Sequence, residues 1–131
     1  MIVLDTQVWV WWASAPEKLS RKAAKLIESE RRAGNILISS FSVWEVAMLV
    51  AKGRLQFALD LREWIAECEK LPGIRFMPVS NAIALASVNL PGEFHPDPAD
   101  RLIVATARHL GARIVTSDSK IQAYPHVKSV W

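Results

Sequence analysis

Asp5, Glu45, Asp100 and Asp118 each lie at the edge of an apolar run or in the first turn of a helical one, in "MIVLD", "SVWEV", "DPADR" and "VTSD". Carboxylates gathered within a few ångströms repel one another, so some must keep a proton or a cation must neutralise them. An all-oxygen set without His or Cys favours a hard divalent ion, Mg2+ or Mn2+, over zinc. Such a centre activates water and stabilises a phosphoryl transition state. Lys and Arg number 16 against 13 Asp and Glu, for a formal charge of +3 and a pI near 9.3. That balance suits an acidic partner, and a nucleic-acid phosphodiester fits the chemistry.

Each acid also has a purely structural reading. Ser42-Val43-Trp44-Glu45 fits a capping box, with Ser42 as N-cap and Glu45 reaching back to its amide. Asp97-Pro98-Ala99-Asp100 fits the same pattern, with Pro98 in the first helical position. Asp118 could be a turn residue, and Asp5 could cap a helix beginning near Thr6. Taken singly, capping is the simpler account of every one. Taken together, the four favour chemistry only if the fold brings them to one edge.

The surrounding elements would do so. Four β-branched or apolar runs read as strands, at 1–5, 35–40, 74–80 and 112–118. Between them, "LSRKAAKLIESERRAG" has helical spacing and ends at Gly34, and "SVWEVAMLVAKGRL" is apolar enough to predict a buried helix. "ALDLREWIAECEKLPG" repeats Leu61, Trp64, Ile65 and Cys68 on one face and stops before Pro72-Gly73. "SNAIALASVNLPG" predicts a shorter helix, "PGEFHPDP" a loop, and "DPADRLIVATARHLG" a strong helix closed by Gly111. Strands alternating with helices predict an α/β fold with a mainly parallel central sheet flanked by helices. In such a sheet, strand C-termini and the following helix N-termini share the edge where ligands bind.

The chain of 131 residues is expected to form a single domain over 1–131. Hydrophobic residues at 51% and charged residues at 22% are ordinary for a globular chain. The lone cysteine, Cys68, has no partner for a disulfide within the chain, which agrees with a reducing, intracellular setting. The opening "MIVLDTQ" lacks a basic region and does not read as a signal peptide. Every apolar run is broken well short of the ~20 residues needed to span a bilayer.

"LDTQVWVWW", "ISSFSVWEVAMLVAKGRL", "HPDPADRLIVATA" and "IVTSD", in that order and spacing, resemble PIN-domain proteins, and in particular the VapC-type toxins of toxin–antitoxin pairs. The similarity extends over essentially the whole chain. It implies a PIN-like fold and Mg2+- or Mn2+-dependent endoribonuclease activity in a prokaryotic cytoplasm. The implied partners are an RNA substrate and a small inhibitory antitoxin, with homodimers joined further into hetero-oligomers. Asp5, Glu45 and Asp100 match the three principal acids of the family and Asp118 the more variable fourth. Thr6 and Thr116, with Ser40 or Ser117, match hydroxyl positions beside the site. Gln7 stands where many relatives have histidine, and Ala99 where phenylalanine is usual. Asp97 is read as an N-cap, with outer-sphere participation as the lesser role.

Other residues fit this picture less directly. The six tryptophans, Trp9, Trp11, Trp12, Trp44, Trp64 and Trp131, are read mainly as core and interface residues. His95, His109 and His126 are scattered, with no metal role expected. Arg21, Lys22 and Lys25 lie on a basic helical face that could guide RNA, and Arg101 could pair with an acid or reach a phosphate. A phosphotransfer protein with Asp5 as nucleophile would want a second acid close by, and "DTQV" has none. A non-catalytic RNA- or partner-binding domain, its acids serving only as caps, is the other alternative.

Overall fold

Residues 1–131 are all described by the structure, a computed structural model. Five parallel strands form one sheet: β1 (Ile2–Leu4), β2 (Ile36–Ser39), β3 (Ile74–Met77), β4 (Arg113–Val115) and β5 (Ser129–Val130), in spatial order β3-β2-β1-β4-β5. The helices are α1 (Thr6–Ser14), α2 (Arg21–Ala33), α3 (Ser40–Ala51), α4 (Leu61–Lys70), α5 (Asn81–Val88), α6 (Pro98–Leu110) and α7 (Ser119–Ala123). The predicted α/β fold with a parallel sheet is what forms.

The central strands β1 and β2 are wholly buried, and apolar but for Ser39, because both faces of the sheet are covered there. Ile2, Leu4, Ile36, Ile38 and Val115 point into one core layer, with Val8 and Trp9 of α1, Ile27 of α2, and Trp64 and Cys68 of α4. The alternate residues Val3, Leu37 and Ile114 point the other way, onto Ile83, Ile103, Val104 and Ile121 of α5, α6 and α7. Val3 lies in register between Leu37 and Ile114, so this alternation runs across the central strands without a bulge. Trp9 has no exposed surface and packs its ring 5.0 Å from Trp64 and 5.6 Å from Phe76.

Glycine closes α2 as predicted: Gly34, at φ 74°, is left-handed. Gly73, at φ 88°, has a second constraint, since a Cβ there would lie 2.2 Å from the carbonyl oxygen of Arg31. That close approach carries the chain from α4 into β3.

Three expectations need correction. The sheet has a fifth strand, β5, too short to show as an apolar run. The helix α3 begins at Ser40, with Ser39 as its N-cap accepting from the Phe41 amide at 3.1 Å. Ser42 therefore lies inside the helix, and Glu45 is its sixth residue rather than the third. Nor is α3 a buried helix: only Ser42 and Val46 are buried, and Trp44 is 53% exposed. No helix is long and apolar enough to cross a membrane.

Candidate active site

The strand order makes the place of the site a matter of topology. From β1 the chain moves outward to β2 and β3, then returns past β1 to form β4 on its other side. The direction of winding reverses between β1 and β4, and a crevice opens there beyond the strand ends. Asp5 leaves β1 at this point, while Thr116 and Asp118 leave β4. The N-terminus of α6, packed against β1 and α3, delivers Asp97 and Asp100.

Asp5 caps α1, its Oδ1 accepting from the Thr6 amide at 2.8 Å. Its Oδ2 accepts from the Thr116 hydroxyl at 2.6 Å, a bond that ties β1 to β4 across the switch. The Thr116 Oγ1 in turn accepts from the Asp118 amide at 3.0 Å. Burial pushes the Asp5 carboxyl above its ordinary range, the Asp118 and Asp97 charges push it further, and the two hydrogen bonds oppose them.

Glu45 reaches the same place from α3. Its Oε1 stands 2.5 Å from the Thr6 Oγ1, which also lies 2.8 Å from the Ser42 Oγ. Thr6 has one hydroxyl proton, and the carboxylate is the stronger acceptor, so Ser42 completes the pair from its own hydroxyl. Burial raises Glu45 first, with Asp5 and Asp97 adding repulsion against the Thr6 hydrogen bond.

Asp100 is the most perturbed group. It is pushed up to about 7, first by burial and then by the charges of Asp5, Asp97, Asp118 and Glu45. The Asp97 charge raises all three of Asp5, Glu45 and Asp100, and the Asp5 charge raises both Glu45 and Asp100, which places these carboxylates in one electrostatic neighbourhood. Asp118 caps α7 through the Lys120 amide at 2.7 Å, and Asp97 caps α6 through the Ala99 amide at 2.9 Å. The capping and chemical readings thus coexist: Asp5, Asp97 and Asp118 cap helices and face the crevice region together.

The expected hydroxyl set is only partly assembled. Thr6 and Thr116 hold carboxylates as described, but Ser40 and Ser117 are exposed and make no side-chain hydrogen bond. Ser42, fully buried against Thr6, takes the place anticipated for Ser40. Arg101 neither pairs with an acid nor points to a ligand. Its guanidinium donates to the carbonyls of Ser87 and Phe94 at 2.8 Å and to those of His95 and Val88 at 3.3 Å. Gln7 is exposed, and Ala99 is buried at 7%, in keeping with a packing role. His95, read in the sequence as one of three scattered histidines with no metal role, stands with Nε2 at 3.0 Å from Asp100 Oδ2.

The donor set fits a hard divalent cation. All four acids offer oxygen, and no Lys or Arg forms an ion pair with any of them. No three His, Cys, Asp or Glu side chains close a cage around one point. This spacing is compatible with Mg2+, which keeps several waters and takes only one or two carboxylates directly. A cation in the crevice would relieve the repulsion that raises Asp5, Glu45 and Asp100.

The sequence matches the PIN domain family over residues 2–127. It is 33% identical over 129 residues to ribonuclease VapC22 of Mycobacterium tuberculosis, covering 98% of this chain and 95% of that protein. The fold resembles that in the crystal structure of VapBC2 from Rickettsia felis bound to a promoter DNA fragment, with a TM-score of 0.74 at 18% identity, over 99% of this chain and 98% of that one. It also resembles FitAcB from Neisseria gonorrhoeae, with a TM-score of 0.66 at 19% identity, over 100% and 97% of the two chains. A helix-flanked parallel sheet with acids at its switch and a match along nearly the whole chain lead to one assignment: the chain belongs to the PIN-domain family, in its VapC type.

Proposed function

We propose that this protein is the toxin of a toxin–antitoxin pair and acts as an Mg2+- or Mn2+-dependent endoribonuclease. The observation that carries the reading is the crowding of Asp5, Glu45, Asp100 and Asp118 at the sheet switch, with three of them driven toward protonation and the nearest arginine fully engaged elsewhere. Asp5, Glu45 and Asp100 would hold the cation, one or two of them directly and the remainder through its waters, with Asp118 at the rim. When bound, the cation supplies charge neutralisation and Lewis acidity to the phosphodiester.

The chain's own groups do the positioning. Thr116 and the Thr6 amide fix the two oxygens of Asp5, and the Thr6 hydroxyl fixes one of Glu45. The Thr6 and Thr116 hydroxyls are committed to carboxylates, and the attacking group in this reading is water. Attack on phosphorus breaks the bond to the 3′-oxygen, which leaves with a proton as a 3′-hydroxyl, and the other product carries a 5′-phosphate. Arg21, Lys22 and Lys25 on α2 are exposed and free of ion pairs, a surface suited to the RNA backbone.

The fold is shared with chains of VapBC complexes, which supports an antitoxin partner in a hetero-oligomer; inhibition by that partner and action in the cytoplasm belong to the same proposal. Calorimetric titration with Mn2+ and an RNA-cleavage assay on wild type and Asp5→Asn test the reading. Both signals should collapse in the variant, and the products should end in 5′-phosphate. Cyclic 2′,3′-phosphate ends, or a folded wild type that binds no Mn2+ and cuts nothing, would overturn it and leave the acids as caps.

A further inference from the structure

Each acid of the crevice is held from the protein side by a hydrogen-bond donor, with one exception. Asp5 has the Thr6 amide and the Thr116 hydroxyl, Glu45 the Thr6 hydroxyl, and Asp118 the Lys120 amide. Asp100 has none of these; what it has is His95, whose Nε2 lies 3.0 Å from Oδ2. Both side chains are largely enclosed, at 19% and 18% exposure. Nε2 is buried and makes no hydrogen bond: although Oδ2 lies 3.0 Å away, the ring N–H is not aimed at it.

The ring's tautomer is set locally. The Asp97 amide approaches Nδ1 at 3.4 Å, so Nδ1 is the acceptor and the neutral ring carries its proton on Nε2, the nitrogen beside Asp100. The loop bearing the ring is fastened as well. Arg101 binds the carbonyls of Phe94 and His95 on one side and those of Ser87 and Val88 at the end of α5 on the other. The Phe94 ring packs 4.4 Å from His95 and 4.7 Å from Tyr124. One residue after Asp100 thus anchors the loop that returns a donor to Asp100.

We propose that His95 is a positioning residue for Asp100: its unpartnered Nε2–H is the donor within reach of Oδ2, and turning onto that oxygen leaves Oδ1 to face the crevice. It touches neither cation nor RNA; it determines which oxygen Asp100 presents and in what orientation. The inference rests on the metal-dependent reading above. A ligand-orienting donor of this kind commonly accounts for about 10- to 100-fold in metal affinity.

The test uses the whole chain as wild type, His95→Leu and His95→Gln. Leucine fills the space without a donor, while the glutamine amide N–H can still reach Oδ2. Mn2+ affinity is measured by calorimetry, metal-free melting is followed in parallel, and the His95 ring nitrogens are read by NMR at pH 8. The expected result is an Nε2–H tautomer, about a 10- to 100-fold loss of Mn2+ affinity in His95→Leu, and recovery to within a few-fold in His95→Gln. A His95→Leu variant that binds like wild type overturns the assignment. So does an equal loss in both variants that tracks a fall in melting temperature, which would make His95 a packing residue. A wild type that binds no Mn2+ at all overturns the metal reading and this one with it, whereas the first two outcomes leave the metal reading intact.

Discussion

Asp100→Asn should stabilise the metal-free protein at alkaline pH, although it removes a proposed metal ligand. In the folded chain Asp100 holds its proton up to about 7, against an ordinary 3.8. The folded state therefore binds more protons than the unfolded one between these values, and wild-type stability falls as pH rises through that window. At ~1.4 kcal/mol per pH unit the full penalty is at most ~4 kcal/mol. The side chain is partly open to solvent, and screening brings the expected figure to about 1–2 kcal/mol. Asparagine is not subject to this penalty. By thermal unfolding in chelator at pH 8, Asp100→Asn should melt roughly 3–8 °C above wild type. The gain should shrink steadily as pH is lowered through about 7 toward 3.8, below which wild-type Asp100 is protonated in both states. Saturating Mn2+ at pH 8 should then invert the order, because a ligand at about 100 times its Kd adds ~2.7 kcal/mol to the chain that binds it. A variant that melts at or below wild type in chelator at pH 8, or a gain that does not change with pH, would refute the claim that burial and the neighbouring acids hold Asp100 protonated.

Three further outcomes follow from the same geometry. Thr116→Val removes the donor to Asp5 and the acceptor for the Asp118 amide, and should lower unfolding free energy in urea by about 1–3 kcal/mol; an unchanged midpoint would contradict the tie across the switch. Arg101→Lys cannot span carbonyls on both sides of the loop, so limited proteolysis should cut faster within residues 91–97 than in wild type, with about 1–3 kcal/mol lost in urea. Trp9→Ala should cost about 3–5 kcal/mol by the same measurement, since the ring is fully buried against Trp64 and Phe76, whereas Trp44→Ala, at 53% exposure, should stay within about 0.5 kcal/mol of wild type.

The strands at β1, β2, β3 and β4 are legible because a parallel sheet covered on both faces demands near-continuous apolar runs, which Ile2–Leu4 and Ile36–Ile38 supply. The edge strand β5 is two residues long and half-buried, so it leaves no such trace. The start of α3 was misplaced because Ser39, Ser40 and Ser42 all make acceptable caps. What selects Ser39 is the end of β2, a tertiary constraint absent from the local pattern. Apolarity alone suggested that α3 is buried, yet most of its side chains are only partly covered. Asp5, Glu45, Asp100 and Asp118 were recoverable because chain order and sheet topology fix which element ends meet. The His95–Asp100 contact was not, because it depends on how the loop at 91–97 folds back, and Arg101 decides that through backbone carbonyls that carry no sequence signature.

Two of the four quartet acids, Asp5 and Asp118, are N-caps as well as members of the crevice. Charge and helix initiation are therefore carried by the same atoms, and substitutions at these positions differ in what they remove. Alanine deletes both the negative charge and the acceptor for the first amides of the helix, so an inactive Asp5→Ala protein could equally be a poorly folded one. Asparagine keeps an oxygen where the Thr6 or Lys120 amide points and discards the charge; at Asp5 its Nδ2 also replaces the acceptor for Thr116, whose hydroxyl must turn to accept instead. In this fold, the amide isostere is the change that separates loss of catalysis from loss of structure.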